Sequence, residues 1–405
     1  MAEGGVTIPR RFRLLGPALV VAVSAACAGD DSGEVQSLVQ WDTLGSGVVF
    51  VQCERLPEEP RWTVDADLRL GSADGGEAAF AAIRGIEVDG RGRLLVLDHQ
   101  ASEVRAFDAD GHFLGLVAPS GEGPREIGLA NGIRVDAEGA LWIHDYGKQR
   151  FTRLLPDGEV ETYPFFVPDS LFLWEGGITV DGRVWSLSTH SDALPGVPEP
   201  GVHQGERRVY YKSLDPQGGL LDSILIGRAP FHSIVASRGV MRVPFSATLL
   251  HALDPAGFIW TAASDEYRLI KLTTSGDTVL VVSAGCEAPL VTRAEREVAI
   301  EEAARFMERA GSVDVDWDDV LPDWKPVVEQ MVVDDRGRLW VVRATDDEPV
   351  LDVFDATGRF LGTVVPAFDF VPNFPPVVRD ERLYVLQVDS LDVPYVVGAP
   401  VPAMW

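Results

Sequence analysis

The chain repeats itself. Residues 133–145, "IRVDAEGALWIHD", have near copies at 86–98, "IEVDGRGRLLVLD", and at 331–343, "MVVDDRGRLWVVR". The shared unit is a β-branched or aliphatic residue, an Asp, a short turn that usually contains Gly, and an apolar or aromatic pair. It occurs six times, beginning at Val88, Val135, Val180, Leu253, Val333 and Val378, with successive starts 47, 45, 73, 80 and 45 residues apart. Repetition at such a period specifies an array of like modules, because no single module buries its apolar face alone.

Each unit places two runs of β-formers on either side of an Asp-x-x-Gly segment. Asp bonds to the backbone ahead of it and Gly takes positive φ, so the segment predicts a hairpin between adjacent strands. About 20 residues later a second turn motif follows, as in "AFDADGHFLG" from Ala106 and "VFDATGRFLG" from Val353. It reads as the hairpin between a third and a fourth strand. Three of the five spacings match one four-stranded propeller blade, and the other two carry insertions. The fold expected is all-β: a six-bladed β-propeller, with an N-terminal strand closing the last blade and one inserted α-helix.

The closing strand comes from "RWTVDADLRLGS", residues 61–72, which precedes the first unit and has no blade of its own, while the last unit lacks a second hairpin. Pairing the two leaves no open seam in the ring. The upstream strand "GVVFVQC", residues 47–53, adds to the same blade or lies along its side. The helix spans residues 292–311 within an insertion at about 290–325: Thr292 and Glu295 form a capping box, Ala299, Ala303, Phe306, Met307 and Ala310 an apolar face, and Gly311 a C-cap. Its apolar face is expected to pack on the propeller, a partner-binding lid being the other reading. The blade-three insertion "HSDALPGVPEPGVHQGE", residues 190–206, reads as a long exposed loop.

The first residues are of another kind. Arg10, Arg11 and Arg13 precede the apolar run "LLGPALVVAVSAA" and then Cys27. That is the layout of a secretory signal over residues 1–26, and the run is too short for a permanent span, which needs about 20 apolar residues. "SAAC" resembles the lipobox in which the cysteine receives lipid, with Ser24 where an aliphatic residue is usual; a plainly cleaved secreted protein is the alternative. Residues 27–45 read as a flexible tether and 46–405 as the propeller. The chain is thus expected to be exported to the cell envelope, as a periplasmic or outer-membrane lipoprotein that meets the membrane through its lipid anchor only. Cys53 and Cys286 remain as a candidate disulfide or as two buried thiols. The formal charge of −27 would repel a phosphate backbone, so nucleic acid is excluded as a partner.

Residues 120–160, "SGEGPREIGLANGIRVDAEGALWIHDYGKQRFTRLLPDGEV", resemble the NHL type of propeller repeat. There a Gly-Pro-containing linker leads to a Gly-Ile strand, a Val-Asp turn, a Leu-Trp-Val strand ending at Asp, and an Asp-Gly turn. From about residue 47 the chain is similar to bacterial six-bladed propeller lipoproteins of unassigned function. Arg125 and Ile127 depart from the usual Gly and Phe, and blades three and four stray further. No cofactor is expected, although related six-bladed propellers include lactonases and lyases that hold calcium or zinc at the channel, so the resemblance admits one of those ions as the alternative.

Residues that recur with the turn are architectural: Asp89, Asp136, Asp181, Asp254 and Asp334 at the hairpin, Asp98 and Asp145 at strand ends, and Trp142, Trp185, Trp260 and Trp340 between blades. Function is sought where the repeats agree in place and differ in residue. Five residues before each turn Asp stand Arg84, Asn131, Gly176 beside Glu175, Leu249 beside Thr248, and Glu329. With His251 on an innermost strand, these are expected to ring one mouth of the central channel. Asn131, Glu175 and Glu329 offer oxygen ligands, while Arg84 opposes a cation. No catalytic motif is found: no G-x-S-x-G, H-E-x-x-H or P-loop is present. The expected function is binding of an envelope protein, peptide or glycan at a rim or channel mouth. The alternative is a metal-dependent lactonase- or lyase-like enzyme at the same mouth.

Overall fold

The computed structural model describes residues 40–43, 47–164, 174–191, 199–214 and 219–403. The expected signal, Ser24 and the candidate lipidation site Cys27 lie outside the described residues. Six sheets of the expected kind make a propeller. Blade one runs outward as Ile83–Val88, Leu94–Asp98, Glu103–Phe107 and Phe113–Ala118, each strand antiparallel to the last. Blade two repeats this with Ala130–Val135, Leu141–Asp145, Arg150–Leu154 and Val160–Pro164. Second strands such as Leu94–Asp98 are buried along their whole length, because both faces of a blade are covered by its neighbours.

The hairpin works as the sequence implies. Asp136 Oδ1 accepts from the amides of Glu138 and Ala140, and Gly139 closes the turn at φ 80°. Asp136 Oδ2 accepts from the indole of Trp142 at 2.8 Å, and Asp334 does the same for Trp340. Each Trp shares a buried cluster with residues of the next blade: Trp142 with Ile178, Trp185 with Ile259, Trp260 with Val341 and Trp340 with Leu383. The core is therefore a set of apolar layers between blades. Asp98 and Asp145 cap their strands by accepting amides of the preceding linker, Ala81 and Ala82 in one case and Gly128 and Leu129 in the other.

Blade three breaks the pattern. Here Thr179 holds the place of the turn Asp, accepting the Trp185 indole at 3.2 Å, and Asp181 lies two residues on, bonded to the Thr179 hydroxyl. The sequence reading of Asp181 as an equivalent of Asp136 is corrected accordingly. Of the expected loop at 190–206, residues 192–198 lie outside the described residues, while both flanks belong to strands: Val184–Ser191, Gly201–Leu214 and Leu220–Ala236 form an extended antiparallel sheet, with Gly239–Arg242 as a fifth strand. Pro and Gly suggested a loop there, yet the strand Gly201–Leu214 begins within the expected loop and runs on through the period-two alternation of "RRVYY", residues 207–211.

The N-terminal segment spreads over more blades than expected. Leu68–Leu70 pairs with Pro394–Pro400 and completes blade six. Arg61–Val64 instead adds in parallel to Phe360–Pro366 of blade five, and Val49–Cys53 in parallel to Thr278–Ala284 of blade four. Residues 40–43, read as tether, form the exposed strand Gln40–Thr43 outside Val49–Cys53. The segment thus laces three blades together before entering blade one. Cys53 and Cys286 are free thiols, so the candidate disulfide is not formed.

The helix is Arg293–Ala310, with the Thr292 and Glu295 capping box in place and Gly311 at its end. Its C-terminal part docks on blade three, where Arg238 N and Ser237 Oγ both donate to Ala310 O. Its N-terminal part is tied toward blade five through Glu295 and Lys325, 2.9 Å apart.

Candidate functional site

Where the first strands of all six blades converge, a cavity of about 1260 Å³ opens. Arg84, Asn131, Glu175, His251 and Glu329 all line it, as do Gly176, Thr248 and Leu249. The positions at which the repeats diverge are thus one place in the fold. Gly176 is Gly for a local reason: a Cβ there would lie 1.8 Å from the carbonyl oxygen of Trp185. The adjacent Glu175 supplies the side chain instead.

Three elements complete the mouth; the helix was expected from the sequence, but the two extended strands of blade three were not. The extension of blade three gives Arg207, Val209 and Tyr211, alternate residues of Gly201–Leu214 that share one face. Arg242 enters from the fifth strand of that blade. The helix overhangs the opening with Glu295, Val298, Ala299 and Glu302. The alternation of Arg207, Val209 and Tyr211 was the available signal, obscured by the Pro-rich stretch just before it. Glu87 and Arg134 lie deeper, on the innermost strands of blades one and two, 3.6 Å apart.

His251 sits in a defined hydrogen-bond frame. The Tyr211 hydroxyl lies 2.8 Å from the main-chain oxygen of Glu175 and 2.9 Å from His251 Nδ1, while His251 Nε2 is 3.4 Å from Glu175 Oε2. A carbonyl only accepts, so the phenol proton goes to Glu175 O and Nδ1–H donates to the phenol oxygen. Nε2 then faces the carboxylate. Burial works to raise the Glu175 carboxyl, but its hydrogen bond to His251 and the charges of His251, Arg207 and Arg134 outweigh it, and the group is held below the usual range. Burial pushes the Tyr211 phenol well up.

The other two carboxyls behave differently. Burial raises Glu87 to about 7, against the pull of Arg134 and Arg379. Burial also raises Glu329, with Lys325 and Arg242 opposing and Glu295 assisting. The mouth therefore holds one carboxylate fixed as an anion and two carboxyls eased toward their neutral forms.

A calcium or zinc site needs several donors around one point. Among the described residues, three His, Cys, Asp or Glu groups converge in that way at Asp108, Asp110 and His112, on the outer hairpin of blade one and away from the mouth. At the mouth each of Glu87, Glu175 and Glu329 is faced by a cation.

No protein-family model matches the chain, and no curated protein matches its sequence. Solved structures of similar shape include a gluconolactonase of Xanthomonas campestris, at 15% identity and TM-score 0.40 over 80% of this chain and 87% of that one. A virginiamycin B lyase of Staphylococcus aureus gives 10% identity and TM-score 0.38 over 79% and 95%. A Bacteroides fragilis protein described as exported gives 13% identity and TM-score 0.45 over 85% and 99%. At these values the likeness assigns no activity to this chain.

Proposed function

We propose that this chain is an exported propeller that binds a ligand at the helix-covered mouth of its central channel. The reading rests on one observation: the ring positions where the repeats differ, Arg84, Asn131, Glu175 and Glu329, together with His251, line a single cavity. Uniform residues build the blades, and the variable ones converge on open space. The ligand is the tip of an envelope protein or peptide, or a glycan. Export and lipid attachment at Cys27 follow from the N-terminal sequence, and a Cys27→Ala variant should move from the membrane to the soluble fraction.

The test is capture from solubilised envelope with the Cys27-bearing protein, compared with an Asn131→Ala, Glu329→Ala double variant. Loss of a captured component in the double variant supports the reading. Equal capture by both sinks it.

A second reading is catalysis at the same mouth, favoured by the Tyr211, His251 and Glu175 frame, which orients an imidazole for proton transfer. The hydrolase or lyase would then use His251 rather than a bound cation. Turnover of lactone or ester substrates that survives a chelator and is lost in His251→Gln would establish it.

A further inference from the structure

We infer that the part of the ligand that enters the mouth is an organic anion, its carboxylate, phosphate or sulfate group held by Arg207 and Arg242; this rests on the reading of the mouth as a binding site. The chain has a formal charge of −27, so a gathering of cations inside it runs against the composition. Six cationic side chains nevertheless line the cavity: Arg84, Arg134, Arg207, Arg242, Lys325 and Arg379. Arg134 is paired with Glu87 and Lys325 with Glu295. Among the described residues the guanidinium groups of Arg84, Arg207, Arg242 and Arg379 make no hydrogen bond or ion pair, and Arg207 Nε is buried without a partner.

Arg207 Nε, withdrawn from water and left unmatched, is costly, while Arg242 stands exposed within the cavity; a bound oxyanion would give both guanidinium groups N–H···O bonds. Burial, and then the charge of Arg207, weaken the hold of Arg242 on its proton, which is the signature of two like charges crowded together. Two carboxyls face the pair. Glu175 is engaged by His251, and Glu329, raised by burial, is eased toward the neutral acid that donates to an anion. A cavity of about 1260 Å³, walled by six blades and roofed by a helix, suits a molecule rather than a flat protein surface.

The experiment is calorimetric titration with a panel of soluble organic anions headed by citrate and glucose 6-phosphate, with glucose as the neutral probe and spermidine as the cation. The two anions separate carboxylate from phosphate ester. Saturable binding of at least one anion is expected, weakened about tenfold or more in Arg207→Gln and in Arg242→Gln, the scale of a lost charge-assisted bond, and weakened further by salt. Should Arg207→Gln fail to fold, Arg242→Gln carries the test, since that side chain is exposed within the cavity. Anion binding that neither Arg substitution changes overturns the inference. Glucose or spermidine binding that depends on Asn131 overturns it while leaving the mouth a binding site. Binding of no probe of any charge overturns both.

Discussion

His251 Nε2 lies 3.4 Å from Glu175 Oε2, and the opposite ring nitrogen is fixed by Tyr211 at 2.9 Å. Both ring nitrogens are therefore engaged, one by the phenol and one by the carboxylate. Tyr211→Phe removes the oxygen that Nδ1 faces and should release the ring. In ¹⁵N spectra the wild-type imidazole should show a single well-defined environment. The Phe variant should show tautomer exchange and lose about 1 kcal/mol of stability, the net worth of one hydrogen bond. An unchanged spectrum in the variant would mean that Tyr211 does not set the tautomer.

Glu87 gives the site a pH signature. Its folded pKa, raised by burial to about 7 from the ordinary 4.5, means that the native state holds a proton which the unfolded chain has lost. Stability from this group is full at low pH and declines as pH rises between about 4.5 and 7, by roughly 3 kcal/mol in all. Urea unfolding at pH 5 and pH 8 should show the wild type losing more stability over that interval than Glu87→Gln, whose amide does not titrate. Equal losses would place Glu87 in contact with bulk water.

The seam between blades four and five turns on Asp352. Its fully buried carboxylate accepts from Arg343 Nε at 2.6 Å, from Thr363 Oγ1 at 2.7 Å and from the Tyr267 hydroxyl of blade four at 2.9 Å. Asp352→Ala leaves Arg343 largely buried without its counter-ion, and breaking such a pair costs about 3–5 kcal/mol. Denaturant titration should show that loss. Tyr267→Phe, which removes one of the three donors, should cost only about 1 kcal/mol.

The turn aspartates should not be equivalent. Asp136 and Asp334 each hold the turn amides and an indole, so Asp136→Ala should cost about 1–3 kcal/mol by leaving buried donors unmatched. Asp181→Ala should cost less than about 1 kcal/mol, because Thr179 holds the Trp185 indole in blade three. Thermal unfolding of the two variants measures the difference directly. The contrast also shows what the sequence makes legible. Asp136, Trp142 and their copies declare the blade, since each residue does the same physical task at each repeat. Ring positions such as Asn131 could be found by counting back from that Asp. In blade three the count still landed on Gly176, beside Glu175, while the Asp itself was two residues out of place. Arg207 and Arg242 could not be reached by counting at all. They come from strands that extend one blade only, and no repeat supplies a reference for them.

The N-terminal lacing makes cysteine chemistry a gauge of docking. Cys53 ends the strand Val49–Cys53, opposite Ala284, and its carbonyl accepts from Gly285 N, one residue before Cys286. Burial raises the Cys53 thiol and pushes Cys286 up to about 12, so neither forms the reactive thiolate at neutral pH while the strand is in place. In a Cys27→Ala protein without reductant, both thiols should resist alkylation in the native state and both should react once the chain is unfolded. Their absence after unfolding would instead reveal the disulfide. Removing residues 1–39 should leave this protection intact, because the first described strand begins at Gln40. Deleting residues 1–56 should expose Cys286 alone, because the strand that covers the edge of blade four is gone while Leu68–Leu70 still completes blade six. Rapid labelling of Cys286 with an unchanged propeller melting temperature is the expected result. A collapse in melting temperature would show that blade four depends on its laced strand for its own stability.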